Sequence, residues 1–212
     1  MRYERTMSVL GAVFGALLML VLLSPNAKAD EWNKLTYVHF SAPVEVPGYN
    51  GPIVLPTGTY TFKLLNSMSD RDIVQIFNKD QSHLYTTVLA IPDYRLHPRG
   101  KTVIKFTEEG SGNPEALKAW FYPGSQFGTE FVYPKSRAVE LARASKEPVL
   151  SMSDEDSAYM SKQIKSGQEP AAKSLEQAKV SAEEPSGKEV AMGQVVQSQP
   201  SNSSSSAANQ KQ

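Results

Sequence analysis

From Trp32 onward the chain runs in short stretches of β-branched and aromatic residues divided by Pro, Gly, Asn and Asp, a pattern of strands and turns. Leu35 to Phe40 reads as a first strand, and Val44 to Val46 as a short continuation after Pro43. Pro47 to Pro52 is dense in turn formers, and Ile53-Val54-Leu55 then leads through Pro56-Thr57-Gly58 into Thr59 to Leu65. There Tyr60, Phe62 and Leu64 alternate with Thr59, Thr61 and Lys63, so the aromatic face points to a core. After a polar turn at Asn66 to Asp70, the segments Ile73 to Phe77 and His83 to Ile91 complete an expected antiparallel meander. Lys101 to Thr107 and Ala116 to Tyr122 are the next strands, the second with Leu117, Ala119 and Phe121 opposed to Lys118, Trp120 and Tyr122. Ala138, Leu141 and Ala142 recur at helical spacing within Pro134 to Ser145. The expected fold is mainly β: an antiparallel sandwich or small barrel with one short C-terminal helix.

Beyond Lys146 the composition shifts to Ser, Ala, Gln, Glu and Lys, and Tyr159 is the one aromatic left. Such a segment buries too little apolar surface to offset its ordering entropy, so residues 146–212 read as a disordered low-complexity tail. Within it, Ser153 ahead of Asp154, Glu155 and Asp156 has the form of a helix cap, and Pro170 can open a helix toward Ala182. Neither stretch carries a strong apolar face. The β-domain is therefore bounded at residues 30–145.

The N-terminus has a different grammar. Arg2 and Arg5 precede an apolar run from Val9 to Leu23, followed by Pro25 and then Ala27-Lys28-Ala29. These are the three parts of a signal peptide over residues 1–29, and the run is shorter than the roughly 20 residues that span a bilayer. The reading is an exported protein, periplasmic, cell-envelope or extracellular, cleaved after Ala29; left uncleaved, the same segment is its only membrane contact. The chain has no cysteine, which removes thiol chemistry, thiolate metal sites and disulfides.

Charge narrows the partners. Lys plus Arg and Asp plus Glu number 22 each, so no net field draws the chain to nucleic acid. His39, His83 and His97 lack metal-ligand spacing, and no metal or cofactor is expected. Asp70 with Asp72, and Glu108 with Glu109, are the carboxylate pairs that a glycoside hydrolase would need, but both sit at loop edges. No nucleophile elbow, P-loop or dinucleotide fingerprint occurs, and Gly110-Ser111-Gly112 reads as a turn, so no catalytic residue is assigned. Arg95, Arg99 and Lys101 cluster near one loop and suit an anionic ligand. The segment Trp120 to Pro134 concentrates Trp120, Phe121, Tyr122, Phe127, Phe131 and Tyr133. If Trp120 and Tyr122 face outward they make a strip for sugars or partner proteins; if a second layer covers them they are core. The candidate binding residues are Trp120, Tyr122, Phe127, Arg95 and Arg99.

Val46-Pro47, Leu55-Pro56-Thr57-Gly58-Thr59-Tyr60 and Phe131-Val132-Tyr133-Pro134-Lys135-Ser136 together resemble a group of uncharacterised secreted bacterial proteins. These open a small β-domain with an L-P-x-G-x-Y turn and strand. The resemblance covers roughly residues 32–143 and implies a fold but no reaction. The expected function is thus an exported, non-enzymatic binding or structural protein of the bacterial envelope that recognises a glycan or an envelope protein. The alternative is a polysaccharide hydrolase using loop carboxylates.

Overall fold

The computed structural model describes residues 35–65, 71–110 and 112–192, and the signal-peptide segment lies outside them, as does the polar turn at 66–70. The alternation at Leu35–Phe40 (β1) buries Thr36, Val38 and Phe40 and exposes Leu35, Tyr37 and His39. This strand pairs antiparallel with Gly58–Leu65 (β4), Val38 opposite Tyr60 and Thr36 opposite Phe62. Asp72–Asn78 (β5) and Leu84–Tyr94 (β6) continue the meander, again antiparallel. The remaining strands of the sheet are Val44–Val46 (β2), Ile53–Leu55 (β3), Val103–Thr107 (β7), Glu115–Phe121 (β8) and Phe127–Phe131 (β9). The order is β1-β4-β5-β6-β9-β8-β2-β3, with β7 on the opposite edge of β8.

The sheet is mixed, because β2 runs parallel to β8 while its other pairings are antiparallel. It also curls. Phe40 of β1 meets Phe106 of β7 at 6.2 Å between ring centroids, and Phe62 of β4 meets Trp120 of β8 at 5.8 Å. Strands far apart in the sheet order therefore share one core, a barrel-like curl within the mainly β fold expected as a sandwich or small barrel.

The tail expectation needs correction between residues 146 and 192. Tyr133–Pro134 (β10), Val149–Met152 (β11), Ser181–Glu183 (β12) and Glu189–Ala191 (β13) form a second sheet, with β10 and β11 parallel. Lys135–Ser145 (α1) buries Ala138, Leu141 and Ala142 against Ala116, Tyr133 and Val149, the helix face read from the spacing. A 3₁₀ helix at Asp156–Ser161 and Pro170–Gln177 (α2) add Met160, Ala172 and Leu175 to the main core, joined by Ile164 and Ala178. The ordered domain thus reaches Met192, and only 193–212 of the expected tail lies outside the described residues.

The reason is on β5. Ile73, Val74, Gln75, Ile76 and Phe77 are buried in succession, so this strand is covered on both faces. The curled sheet supplies one cover, and the C-terminal segment supplies the other. Gln75 Nε2 donates to Thr87 Oγ1 (3.2 Å), and the Thr87 hydroxyl donates to the Lys162 carbonyl (2.6 Å). Arg71 Nη1 donates to the carbonyls of Glu176 (2.7 Å) and Ala178, capping the end of α2. Weakly apolar elements are thereby ordered by docking on a surface that cannot remain in water.

Candidate functional site

The strand β8 decides which aromatic side chains face solvent. Its pairing with β7 is irregular: Lys105 opposes Ala119 but Phe106 opposes Leu117, leaving Lys118 as the extra residue of a bulge. A bulge shifts the alternation by one. Leu117 and Trp120 consequently both enter the main core, whereas strict alternation sets them on opposite faces. Trp120 is 2% exposed, packed on Phe62, and is not the outward strip that Trp120 and Tyr122 form in one sequence reading. Tyr122 is half-buried, its ring edge-on to Trp120 at 6.4 Å.

The exposed aromatics lie one strand away. Tyr94 at the end of β6 is paired with Phe127 at the start of β9, and their rings meet at 5.6 Å. They are 54% and 65% exposed, and Leu96 in the following loop is 74% exposed. Phe127, Thr129 and Phe131 lie on one face of β9, and Phe131 packs on Phe62 inside the curl at 6.5 Å. The Tyr94 and Phe127 rings therefore stand at the rim of the barrel-like interior. One residue pair deeper, Thr129 faces Trp120 across β8 and β9. The indole Nε1 and the Thr129 hydroxyl are both buried with no partner among the described residues.

Two backbone clamps hold the rim. The Arg95 N–H donates to the Gln126 carbonyl (3.0 Å), and the Gly124 N–H donates to the Arg99 carbonyl (2.8 Å). Gln126 Nε2 donates to the Leu96 carbonyl (3.1 Å). The loop after β6 and the turn before β9 are thus one tip. Gly124, with φ of 76°, supplies the left-handed residue this turn requires. Arg95 and Arg99 share the tip with Phe127 but do not make one cationic pocket. The Arg95 guanidinium donates from Nε and Nη2 to the Ser125 carbonyl (3.0 and 2.8 Å) and lies 4.8 Å above the Phe121 ring, with Nη1 buried and without a partner among the described residues. It closes the tip rather than offering its charge outward. The Arg99 side chain is exposed.

Phe121 occupies the other face of the sheet. Lys105 Nζ also lies 4.8 Å from its ring while pairing with Asp93 at 2.9 Å, and Gly128 sits directly across the strand. A Cβ on Gly128 would come within 2.5 Å of the Phe121 ring, so this position needs glycine. Glu130, near Lys105 and Asp93, has its pKa raised, because desolvation outweighs the attraction of Lys118.

Of the acids named from sequence, Glu108 and Glu109 are turned apart. Asp70 lies outside the described residues. Glu108 is exposed, while Glu109 turns inward to Arg137, whose guanidinium also grips Glu45 through Nε (2.8 Å) and Nη2 (2.6 Å). Arg137 further donates to Glu140 at 2.7 Å, so the cluster ties α1 to β2 and to the loop before β8. Burial raises the Glu109 pKa despite Arg137, and neighbouring Glu45 raises it further. This is a buried ionic tie. The histidines are dispersed: His39 Nδ1 bonds Thr59 Oγ1 (3.1 Å), His83 stacks edge-on to Tyr85 (4.8 Å), and His97 is in the exposed loop. Among the described residues no cluster of metal-ligating side chains occurs, and no helix is long and apolar enough to cross a membrane.

An open cleft of about 280 Å³ lies elsewhere, between the turn at Tyr49 to Pro52, Tyr85 and Thr86 of β6, and Met160 and Ser161. The sequence pattern does not single out Tyr94 and Leu96, because Pro92 reads as the end of the strand His83 to Ile91. Instead β6 runs through Pro92, opposite Thr129, and carries Tyr94 to the rim. Comparisons with protein-family models, curated proteins and solved structures find no match to this chain.

Proposed function

We propose that this chain is an exported, non-enzymatic glycan-binding module of the bacterial envelope, and that the rim formed by Tyr94 and Phe127 is its contact surface. The observation that carries the reading is a pair of touching aromatic rings left 54% and 65% exposed on a tip that backbone hydrogen bonds hold in place. Aromatic faces of this kind stack on the apolar faces of sugar rings, and prior fixation of the tip lowers the ordering cost of binding. Balanced charge across the chain suits a neutral ligand better than a polyanion. Export rests on the signal-peptide grammar of residues 1–29. The hydrolase alternative draws no support from Glu109, which Arg137 holds inside the domain.

Co-sedimentation of the purified protein with insoluble peptidoglycan, cellulose and chitin tests the reading. Retention on at least one of them, lost in the Tyr94→Ala/Phe127→Ala variant, is the expected result. A wild-type protein that stays in the supernatant with all three overturns it.

A further inference from the structure

Beneath the rim, Trp120 and Thr129 oppose each other on β8 and β9, 2% and 6% exposed, and the indole N–H and the hydroxyl both lack partners among the described residues. A buried polar group without a hydrogen bond is costly, and two on facing residues mark a place where something from outside the chain completes the pairing. We infer that the Trp120 Nε1–H and Thr129 Oγ1 receive one hydroxyl of the saccharide whose ring stacks on Phe127 and Tyr94. The inference rests on the glycan reading above and specifies how that same site selects its ligand.

The chemistry on this face favours a neutral hydroxyl. It can accept from the indole N–H while donating to, or accepting from, the threonine oxygen. A carboxylate would want a cation, but Arg95 and Lys105 sit over Phe121 on the opposite face of the sheet. The spacing also suits a sugar. Thr129 is two residues from Phe127 on the same face, a rise of roughly 7 Å, which is on the scale of one hexopyranose with its hydroxymethyl arm. In the free chain both atoms are closed off, so the hydroxyl enters only when a covering side chain turns aside. The occupant that competes with this inference is an internal water bridging the same two atoms.

The test uses the mature chain with Trp32→Phe, which leaves Trp120 as the sole indole, titrated with chitotetraose and with cellotetraose. Binding is read by calorimetry and by Trp120 fluorescence. The expected result is a fluorescence change on binding, and Thr129→Val weakening affinity by about tenfold, the effect of one unmatched buried hydrogen bond. Thr129→Ser, which keeps the hydroxyl, is expected to bind within about twofold of the parent. Should Thr129→Val fail to fold, the Trp120 fluorescence of the parent decides, because a hydroxyl at Nε1 must perturb it. If Thr129→Val binds as the parent does while Phe127→Ala loses binding, the rim reading stands and this inference falls, leaving a water at the pair. If neither tetrasaccharide binds the parent, and none of the three insoluble polysaccharides retains it, the glycan reading fails and takes this inference with it.

Discussion

At the scale of single residues, Gly128 and Glu130 show how closely the tip is built. Adding a methyl at Gly128 places it against the Phe121 ring, itself held by Arg95 and Lys105, so the collision has little room to relax. Gly128→Ala is expected to cost about 2 kcal/mol, the range for overpacking, as read by denaturant unfolding at equilibrium. Glu130 gives a pH dependence. Its folded pKa stands above its ordinary value of 4.5, so the folded state binds more protons than the unfolded state in that window. Its contribution is full below pH 4.5 and is lost as pH rises through the folded value, with Glu109 acting in the same direction. Glu189, lowered to about 2 by its hydrogen bonds to Lys135 and Ser181, acts only below 4.5. Melting temperature should therefore fall as pH rises above 4.5 through the folded value of Glu130. Glu130→Gln should flatten that decline; an unaltered slope would show that Glu130 is not its source. Arg137 holds a buried ionic cluster with Glu45 and Glu109. Arg137→Met leaves the Glu45 carboxylate buried without its bidentate partner, a loss of about 3 kcal/mol or more by the same unfolding measurement.

At the scale of elements, the chain shows which signals a sequence carries and which it hides. The strands from β1 to β6 were legible because their alternation or continuous apolar runs follow the burial they adopt. The helix face of α1 was legible for the same reason at helical period. The C-terminal elements were not, since each offers only a pair, Met160 with Ile164 and Ala172 with Leu175, too few to make a stripe by themselves. The telling signal lay at a distance: Ile73 to Phe77 is apolar on both faces and demands a second cover. The site suffered from a subtler effect. One bulged residue, Lys118, reverses which side of β8 Trp120 occupies, and periodicity has no mark for it. The docking of the C-terminal elements yields a clear expectation. Leu175→Ala should destabilise by about 2 to 5 kcal/mol, a core value foreign to a tail. Truncation after Ser145 should abolish cooperative thermal unfolding, whereas truncation after Met192 should leave the transition intact.

At the scale of the whole molecule, a curled mixed sheet buries its largest aromatics inside while leaving two at its rim. The interior is fixed by Phe40, Phe62, Trp120 and Phe131 meeting at 5.8 to 6.5 Å, so the rim rings are not a spill of unpacked core. They stand on a tip tied by three hydrogen bonds, with Arg95 spent on closing it. Other exposed tyrosines, Tyr37 on β1 and Tyr159 in the 3₁₀ helix, lie outside this tip and serve as internal controls. Hydroxyl-radical footprinting read by mass spectrometry, with and without the polysaccharide that retains the protein, tests the central claim most directly. Tyr94 and Phe127 should be protected while Tyr37 and Tyr159 oxidise as before. Protection at Tyr37 or Tyr159 with Tyr94 and Phe127 unchanged would contradict it.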